Sequence, residues 1–371
     1  MPPRPSPKQQ IRFCTTADGV NIAFAVSGSG TPFIKAPNWL NHLELDVTSP
    51  IWRAWIERVG DRHRLVRYDA RGCGLSDRVE VPASFATNRL DLEAVVQAAG
   101  LTEFILYGAS QGAAIAIEYA ARHPKKVSHL VLYGAYLRGA MRRDGTPHEI
   151  EEARTLLKIV ELGWGRENSA FRQVFANQFI PGATMEQLHA FDELQRRTVT
   201  PEGAASLLAS FYEVDVTALA AEVRCPTLVL HSRQDARVPF EEGRRVALAI
   251  PGAEFVPLES RNHILLEQEP AWVQFFVELE GFLLRQGLPP AERPDRFADL
   301  TPSETGVLDR IAAGLSNDEI AASLGISPKT VRNHINHIFS KLGVRSRSQA
   351  IVQGREGGLG GADSQPSARV R

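Results

Sequence analysis

The sequence predicts an α/β domain, a doubly wound parallel sheet with helices on both faces, followed by a small all-α module. Three observations predict it. Between Ile11 and about Gln286, short apolar runs of strand length alternate with longer helical stretches, the pattern of strands buried on both faces between helices. That alternation stops at Gly287-Leu-Pro-Pro-Ala-Glu-Arg-Pro294, where the prolines can neither continue a helix nor donate to a ladder. Beyond the break, helix-start signals follow one another with no strand between them.

The runs Phe33-Ile-Lys-Ala36, Leu65-Val-Arg-Tyr68, Phe104-Ile-Leu-Tyr107, Leu130-Val-Leu-Tyr133 and Thr227-Leu-Val-Leu230 read as buried strands. Arg89 to Ala99, Gly112 to Arg122 and Glu241 to Ala249 read as the intervening helices. Between Arg138 and Glu222 there is helical periodicity and no strand signal, which predicts a helical cap inserted between two strands over the sheet. The expected organisation is thus a first domain over 1–286 with its cap at about 138–222, a Pro-rich linker over 287–299, a helical module over 300–355, and a Gly-rich tail over 356–371 that is too poor in large apolar groups to pack.

Composition excludes several function classes. The chain has 371 residues, 43% of them hydrophobic, with 42 Lys plus Arg against 43 Asp plus Glu. No stretch approaches the roughly 18 apolar residues of a membrane span, and the first residues lack the apolar core of a signal peptide, so a cytoplasmic protein is expected. Cys14, Cys73 and Cys225 are odd in number and far apart, which argues against a disulfide framework. No metal and no cofactor are expected. Charge is uneven, however: residues 300–355 hold seven Lys or Arg against four Asp or Glu, while the chain before them is net acidic. A small basic module on an acidic body points to nucleic acid.

Directly after the run Phe104 to Tyr107 comes Gly108-Ala-Ser-Gln-Gly112 and then a helix of small residues. This is G-x-S-x-G in a strand–turn–helix setting, where only small flanking residues fit and the hydroxyl is held at the carboxyl edge of the sheet. A serine nucleophile needs a base, and the base an orienting acid, in the chain order Ser, Asp, His. Asp235 and His263 both follow strand runs in that order. Each has a plainer reading: Ser110 as a turn residue, Asp235 as a helix cap, His263 as a core hydrogen-bonding group. His231 is a rival base, though it lies inside an apolar strand.

Residues 20–285 resemble the α/β-hydrolase family, including the loop Tyr68-Asp-Ala-Arg-Gly-Cys-Gly-Leu-Ser-Asp77 before the elbow. The resemblance implies that Ser110 is the nucleophile, His263 the general base and then acid, and Asp235 the carboxylate that fixes the imidazole tautomer. It implies an oxyanion hole built from the backbone N–H groups of Gln111 and Trp39. The family often shows His-Gly-x in that second loop, and this chain has Pro37-Asn38-Trp39 instead.

In the module, Thr301-Pro-Ser-Glu304 and Ser316-Asn-Asp-Glu319 are capping boxes, and Ser327-Pro-Lys-Thr330 is a third helix start. Only Gly325-Ile-Ser327 separates the second and third helices, a turn of helix-turn-helix length. On the third helix Val331, Ile335, Ile338 and Leu342 form one stripe, leaving Lys329, Arg332, Asn333, Asn336, His337 and Ser340 on other faces. Asn pairs with adenine edges and Arg with guanine edges, while Lys and hydroxyl groups suit phosphates. These segments, together with Lys341-Leu-Gly-Val344, closely resemble the LuxR-type helix-turn-helix domain. The resemblance implies base contacts from Arg332, Asn333 and Asn336, with His337 on the same flank, and phosphate contacts from Lys329, Thr330 and Lys341. It also implies a homodimer on a double-stranded operator with two half-sites, with RNA polymerase a further candidate partner.

Both halves together predict a transcription regulator whose first domain senses, and can hydrolyse, a small ester- or lactone-like effector. The alternative is a carboxylic ester hydrolase with an appended module that anchors it to DNA.

Overall fold

The computed structural model describes residues 9–78, 84–167, 170–288, 297, 299–344, 346–356 and 359–360. The chain separates into two compact units, Met1–Glu292 and Arg293–Arg371.

The first unit runs β1 (Gln10–Thr15), β2 (Asn21–Ser27), β3 (Thr31–Lys35), α1 (Leu43–Asp46), α2 (Arg53–Gly60), β4 (His63–Tyr68), α3 (Phe85–Ala98), β5 (Phe104–Ala109), α4 (Gln111–Arg122) and β6 (Val127–Tyr133). Five helices follow, α5 (Pro147–Gly163), α6 (Ala170–Phe179), α7 (Met185–Thr198), α8 (Pro201–Tyr212) and α9 (Thr217–Ala220). It closes with β7 (Thr227–Ser232), α10 (Phe240–Ala249), β8 (Glu254–Leu258) and α11 (Pro270–Arg285). One sheet of eight strands results, in the order β1-β2-β4-β3-β5-β6-β7-β8. All pairings from β4 onward in that order are parallel, as expected, and every residue of β5 and β7 is buried, which is why these strands read as continuous apolar runs.

Two strands were not foreseen. β1 and β2 form an antiparallel hairpin, and β2 also pairs antiparallel with β4. β1 is an edge strand with Phe13 61% exposed, so its sequence lacks the clean alternation that marks a half-buried strand. β8 lies at the other edge, where Pro257 is tolerated.

Between β6 and β7 the chain is helical, held by threonine caps at Thr146, Thr184 and Thr200 whose side chains each accept a backbone N–H three residues on. These helices share the core of the sheet. Trp39, in the loop after β3, stacks on Phe175 of α6 with ring centroids 6.0 Å apart and meets Trp164 edge-on at 5.4 Å. Removing a buried ring of this kind costs about 3–5 kcal/mol.

The second unit has α12 (Pro302–Ala312), α13 (Asn317–Leu324), α14 (Pro328–Leu342) and α15 (Arg347–Glu356). Thr301, Ser316 and Ser327 cap the first three, and Gly325 ends α13 in the left-handed region with φ 66°. Val307, Leu308, Ile311, Ile320, Val331 and Ile338 form a core of their own. Phe297, in the stretch read as linker, is buried in this core, and Leu359, in the stretch read as tail, packs against it. Packed structure therefore begins before residue 300 and reaches past 356: a single large apolar side chain anchors a polar or Gly-rich segment that composition alone calls loose. Of the linker, residues 289–296 and 298 lie outside the described residues, as do 357–358 and 361–371 of the tail.

Candidate functional site

Ser110 sits between β5 and α4 with φ 53° and ψ −127°, the one non-glycine residue with positive φ among the described residues. Such a conformation costs about 1–3 kcal/mol and persists only where its surroundings enforce it. They do so here by close approach. A Cβ on Gly108 would lie 2.5 Å from the Gly112 carbonyl oxygen, and one on Gly112 would lie 2.6 Å from that of Pro37. Both glycines of the motif are thus steric requirements, and the second lets the loop after β3 cross the first turn of α4. The Ser110 N–H donates to the Tyr133 carbonyl at 2.9 Å, tying the turn to β6.

Asp235 follows β7. Its Oδ1 accepts the N–H groups of Arg237 at 2.8 Å and Val238 at 2.9 Å, and its Oδ2 accepts from His263 Nδ1 at 2.7 Å. Burial by itself would raise this carboxyl, but the adjacent His263 and these hydrogen bonds hold it below the usual carboxylate range. Because a carboxylate only accepts, Nδ1 of His263 carries a proton, and in the neutral ring Nε2 is the nitrogen with a free lone pair. The histidine loop is fastened from two sides. His263 and Ile264 donate their N–H groups to the Phe179 carbonyl at the end of α6, and Ser232 Oγ donates to the Asn262 carbonyl at 2.9 Å. Gly134, φ 56°, leaves room for the imidazole, since a Cβ there would lie 2.8 Å from His263 Cε1.

Ser110 and His263 line one cavity together with Asn38, Trp52, Trp272 and Phe275; its atom-free space is about 470 Å³ when its opening to solvent is counted in. Among the described residues no Lys, Arg, Asp or Glu lines it. No hydrogen bond joins Ser110 to His263 among the described residues. Asp235 is the third member only through His263. His231, the rival base, is fully buried, donates Nε2–H to the Val238 carbonyl at 3.0 Å, and is pushed down by burial, so it is a neutral packing group that also approaches Asp235 Oδ2 at 3.6 Å. Of the two oxyanion candidates, Gln111 heads α4, where backbone N–H groups have no intrahelical partner. Trp39 does not line the cavity; its ring is taken into the cap, and Asn38 occupies that wall. Gly134, Asn262 and Phe179 were not singled out from sequence, and only the glycine at a strand's carboxyl end was a usable signal.

In the loop after β4, Asp69 accepts the N–H groups of Leu43 and Leu75, and Arg71 pairs with Asp18 and Asp91, so this loop is a structural brace. Among the described residues no cluster of His, Cys, Asp or Glu could hold a metal ion, and no helix is long and apolar enough to cross a membrane.

On α14, Val331, Ile335 and Ile338 are buried while Lys329, Arg332, Asn333, Asn336, His337 and Lys341 are exposed. Thr330 is only partly exposed, its hydroxyl 2.9 Å from Ser327 Oγ in the cap. Lys341 is not a free cation: its Nζ donates to Glu304 Oε2 at 2.6 Å. Arg310, Arg347 and Arg355 are likewise bonded within the module, to Ser323, Asn317 and the Ala312 carbonyl. Among the described residues of the module, Lys329 and Arg332, at the start of α14, are thereby the cations left facing outward, Arg332 with a long bond of 3.4 Å to the Pro328 carbonyl.

Comparison with known proteins agrees with both halves. Residues 43–270 match the family model described as alpha/beta hydrolase fold, and residues 298–353 match that of bacterial regulatory proteins, luxR family. The chain is 27% identical over 270 residues to the AB hydrolase superfamily protein YisY of Bacillus subtilis, covering 68% of this chain and 91% of that one. It is 51% identical over 114 residues to the Probable HTH-type transcriptional regulator GfsR of Streptomyces halstedii, covering 27% of this chain and 46% of that one. Among solved structures it resembles an esterase from Exiguobacterium antarcticum at 22% identity and TM-score 0.64, over 73% of this chain and 99% of that one, a likeness of fold. The chain belongs to the α/β-hydrolase fold family and carries a LuxR-type helix-turn-helix domain at its carboxyl end.

Proposed function

We propose that this protein is a DNA-binding transcription regulator whose α/β-hydrolase domain binds a small uncharged ester or lactone and hydrolyses it slowly through Ser110, His263 and Asp235. The observation that carries the reading is the 2.7 Å His263–Asp235 pair in one largely apolar cavity with an elbow serine, in a chain that also bears a DNA-reading helix. A cavity without charged side chains favours an uncharged ligand, because a buried ionic group would lack a partner. Arg332, Asn333 and Asn336 read bases, and Lys329 supplies a phosphate contact. The active form is a homodimer on a two-half-site operator that meets RNA polymerase there.

The regulator reading requires that effector and operator alter each other's affinity by the same factor, ordinarily about 5- to 150-fold. The test is operator titration of wild type and Ser110→Ala across effector concentration. The expected result is a ligand-dependent shift in both proteins, since occupancy carries the signal. Identical curves with and without effector, at proven saturation, refute it. Rapid ester turnover with unchanged DNA binding favours the alternative, an esterase anchored to DNA by its module.

A further inference from the structure

Lys35, the last residue of β3, is buried at 3% exposure, and among the described residues no carboxylate lies within ion-pair distance of it. Its Nζ donates to Asn38 Oδ1 and, at 3.3 Å, to Asn41 Oδ1, and lies 5.1 Å from the Trp52 ring centroid. Desolvating an ammonium is costly, and two amide oxygens with one aromatic face offset it less well than a carboxylate would. The arrangement therefore favours orientation over stability.

An ammonium can only donate, so the Asn38 amide must turn Oδ1 toward Lys35, which fixes where Nδ2 goes. The Asn38 backbone N–H is already committed to Asn41 Oδ1 at 2.6 Å, and Nδ2 has one acceptor among the described residues, the Trp39 carbonyl at 3.3 Å. One N–H of the side chain is left over, on a residue that lines the cavity with Ser110 and His263. We propose that the Asn38 side-chain amide, oriented and polarised by Lys35, donates to the oxyanion formed when Ser110 attacks an ester, taking the part first assigned to the Trp39 backbone. This rests on the hydrolase reading of the site. Ser110 Oγ bonds to the carbonyl carbon as its proton passes to His263 Nε2, and the carbonyl π pair moves onto oxygen. That oxygen accepts from Gln111 N–H and Asn38 Nδ2–H. On collapse the ester C–O bond breaks and the departing alkoxide takes the proton from His263. Asn38 is the catalytic residue here and Lys35 a positioning residue.

The groups facing Lys35 are Asp46 of α1, Arg67 of β4 and Asp69 just after β4; burial pushes the amine down to about 7 and the Asp69 carboxyl up to about 8. Loss of the Lys35 proton as pH rises weakens the polarisation, so the wild-type rate falls off above about pH 7.

The experiment is the acylation rate of the full chain with p-nitrophenyl acetate, followed by its burst, with melting temperature alongside. Asn38→Ala slows acylation by about 10²- to 10³-fold, the loss of one oxyanion donor. Asn38→Asp keeps and strengthens the bond to Lys35 but has no N–H: it melts no lower than wild type and is as slow as Asn38→Ala. Lys35→Met is slower by about tenfold and loses the alkaline fall-off; if it does not fold, the two Asn38 variants decide. Acylation by wild type with Asn38→Asp equally fast overturns this inference alone, and so does Lys35→Met with an unchanged profile. No acylation by wild type overturns the inference together with the hydrolase reading.

Discussion

Gly134 offers a test of the histidine's placement that alters no reacting group chemically and moves only the imidazole. It follows β6 with φ 56°, and an alanine Cβ there would lie 2.8 Å from His263 Cε1 and 3.2 Å from Nδ1. Two costs follow. Holding a Cβ in the left-handed region costs about 1–2 kcal/mol. Carbon atoms rest about 3.5–4.0 Å apart, so the ring must retreat by roughly 0.7 Å or more. It cannot retreat freely, because Phe179 meets it edge-on at 5.3 Å and Asp235 holds it at 2.7 Å. Displacement of about 1 Å in a reacting group lowers rates by about 10²-fold. Gly134→Ala is therefore expected to lose about 1–3 kcal/mol in denaturant unfolding and about 10²-fold in the rate at which a fluorophosphonate labels Ser110. Gly100→Ala is the control: φ is 64° there, yet nothing lies within 4 Å of the new Cβ, so it should show the strain alone and label normally. Wild-type labelling by Gly134→Ala would refute the argument that a precisely seated His263 activates the serine.

Asp235→Asn cannot hold the same imidazole tautomer and should lower the acylation rate by about 10⁴-fold, read by the p-nitrophenyl acetate burst. Asn336→Ala or Arg332→Ala should cost about 1–3 kcal/mol of operator affinity and relax base preference in a selection from random DNA, whereas Lys329→Ala should weaken all sequences alike and flatten the salt dependence. Glu304, bonded to Lys341 and Thr301, is held down to about 2, so its contribution to stability is complete above its ordinary value near 4.5 and is lost as pH falls toward 2. Glu304→Gln keeps the cap but frees Lys341: the acid-side loss of helical signal between about 4.5 and 2 should flatten, and the salt slope of DNA binding should steepen by up to about 0.9; an unchanged slope would show that Lys341 faces no phosphate.

The parallel strands were legible because burial on both faces leaves no choice but an apolar run, as in Phe104-Ile-Leu-Tyr107. Helix starts were legible for a local reason, since Thr301 and Glu304 satisfy each other's backbone within one turn. β1 was not legible: its partner is 10 or so residues away across a hairpin, and one of its largest apolar side chains faces outward. At the site, the motif around Ser110 announces itself because the turn tolerates glycine alone at Gly108 and Gly112. Asn38 and Lys35 do not, because nothing in Lys-Ala-Pro-Asn says that the lysine is buried; that depends on Asp46, Arg67 and Trp52 arriving from α1, β4 and the turn before α2. Asn262 and Phe179 are of the same kind, meaningful only once the cap lies against the histidine loop.

That cap also bears on how a hydrolase domain can serve a regulator. A ligand shifts an equilibrium only by its difference in affinity for two states, so some element must feel the cavity's contents. Phe179 ends α6, lines the cavity, stacks edge-on to His263, and through its carbonyl holds the N–H groups of His263 and Ile264. A ligand that displaced this side chain would therefore press on the backbone of the histidine loop and on the cap at once. Arg237, whose backbone N–H binds Asp235, lies 5.7 Å above the same ring and 5.6 Å from that of Tyr212 on α8. Under the proposed function, the groups that would perform the chemistry would also be those that report occupancy, a physical reason for a DNA-binding protein to keep the Asp–His pair intact whether or not turnover is fast.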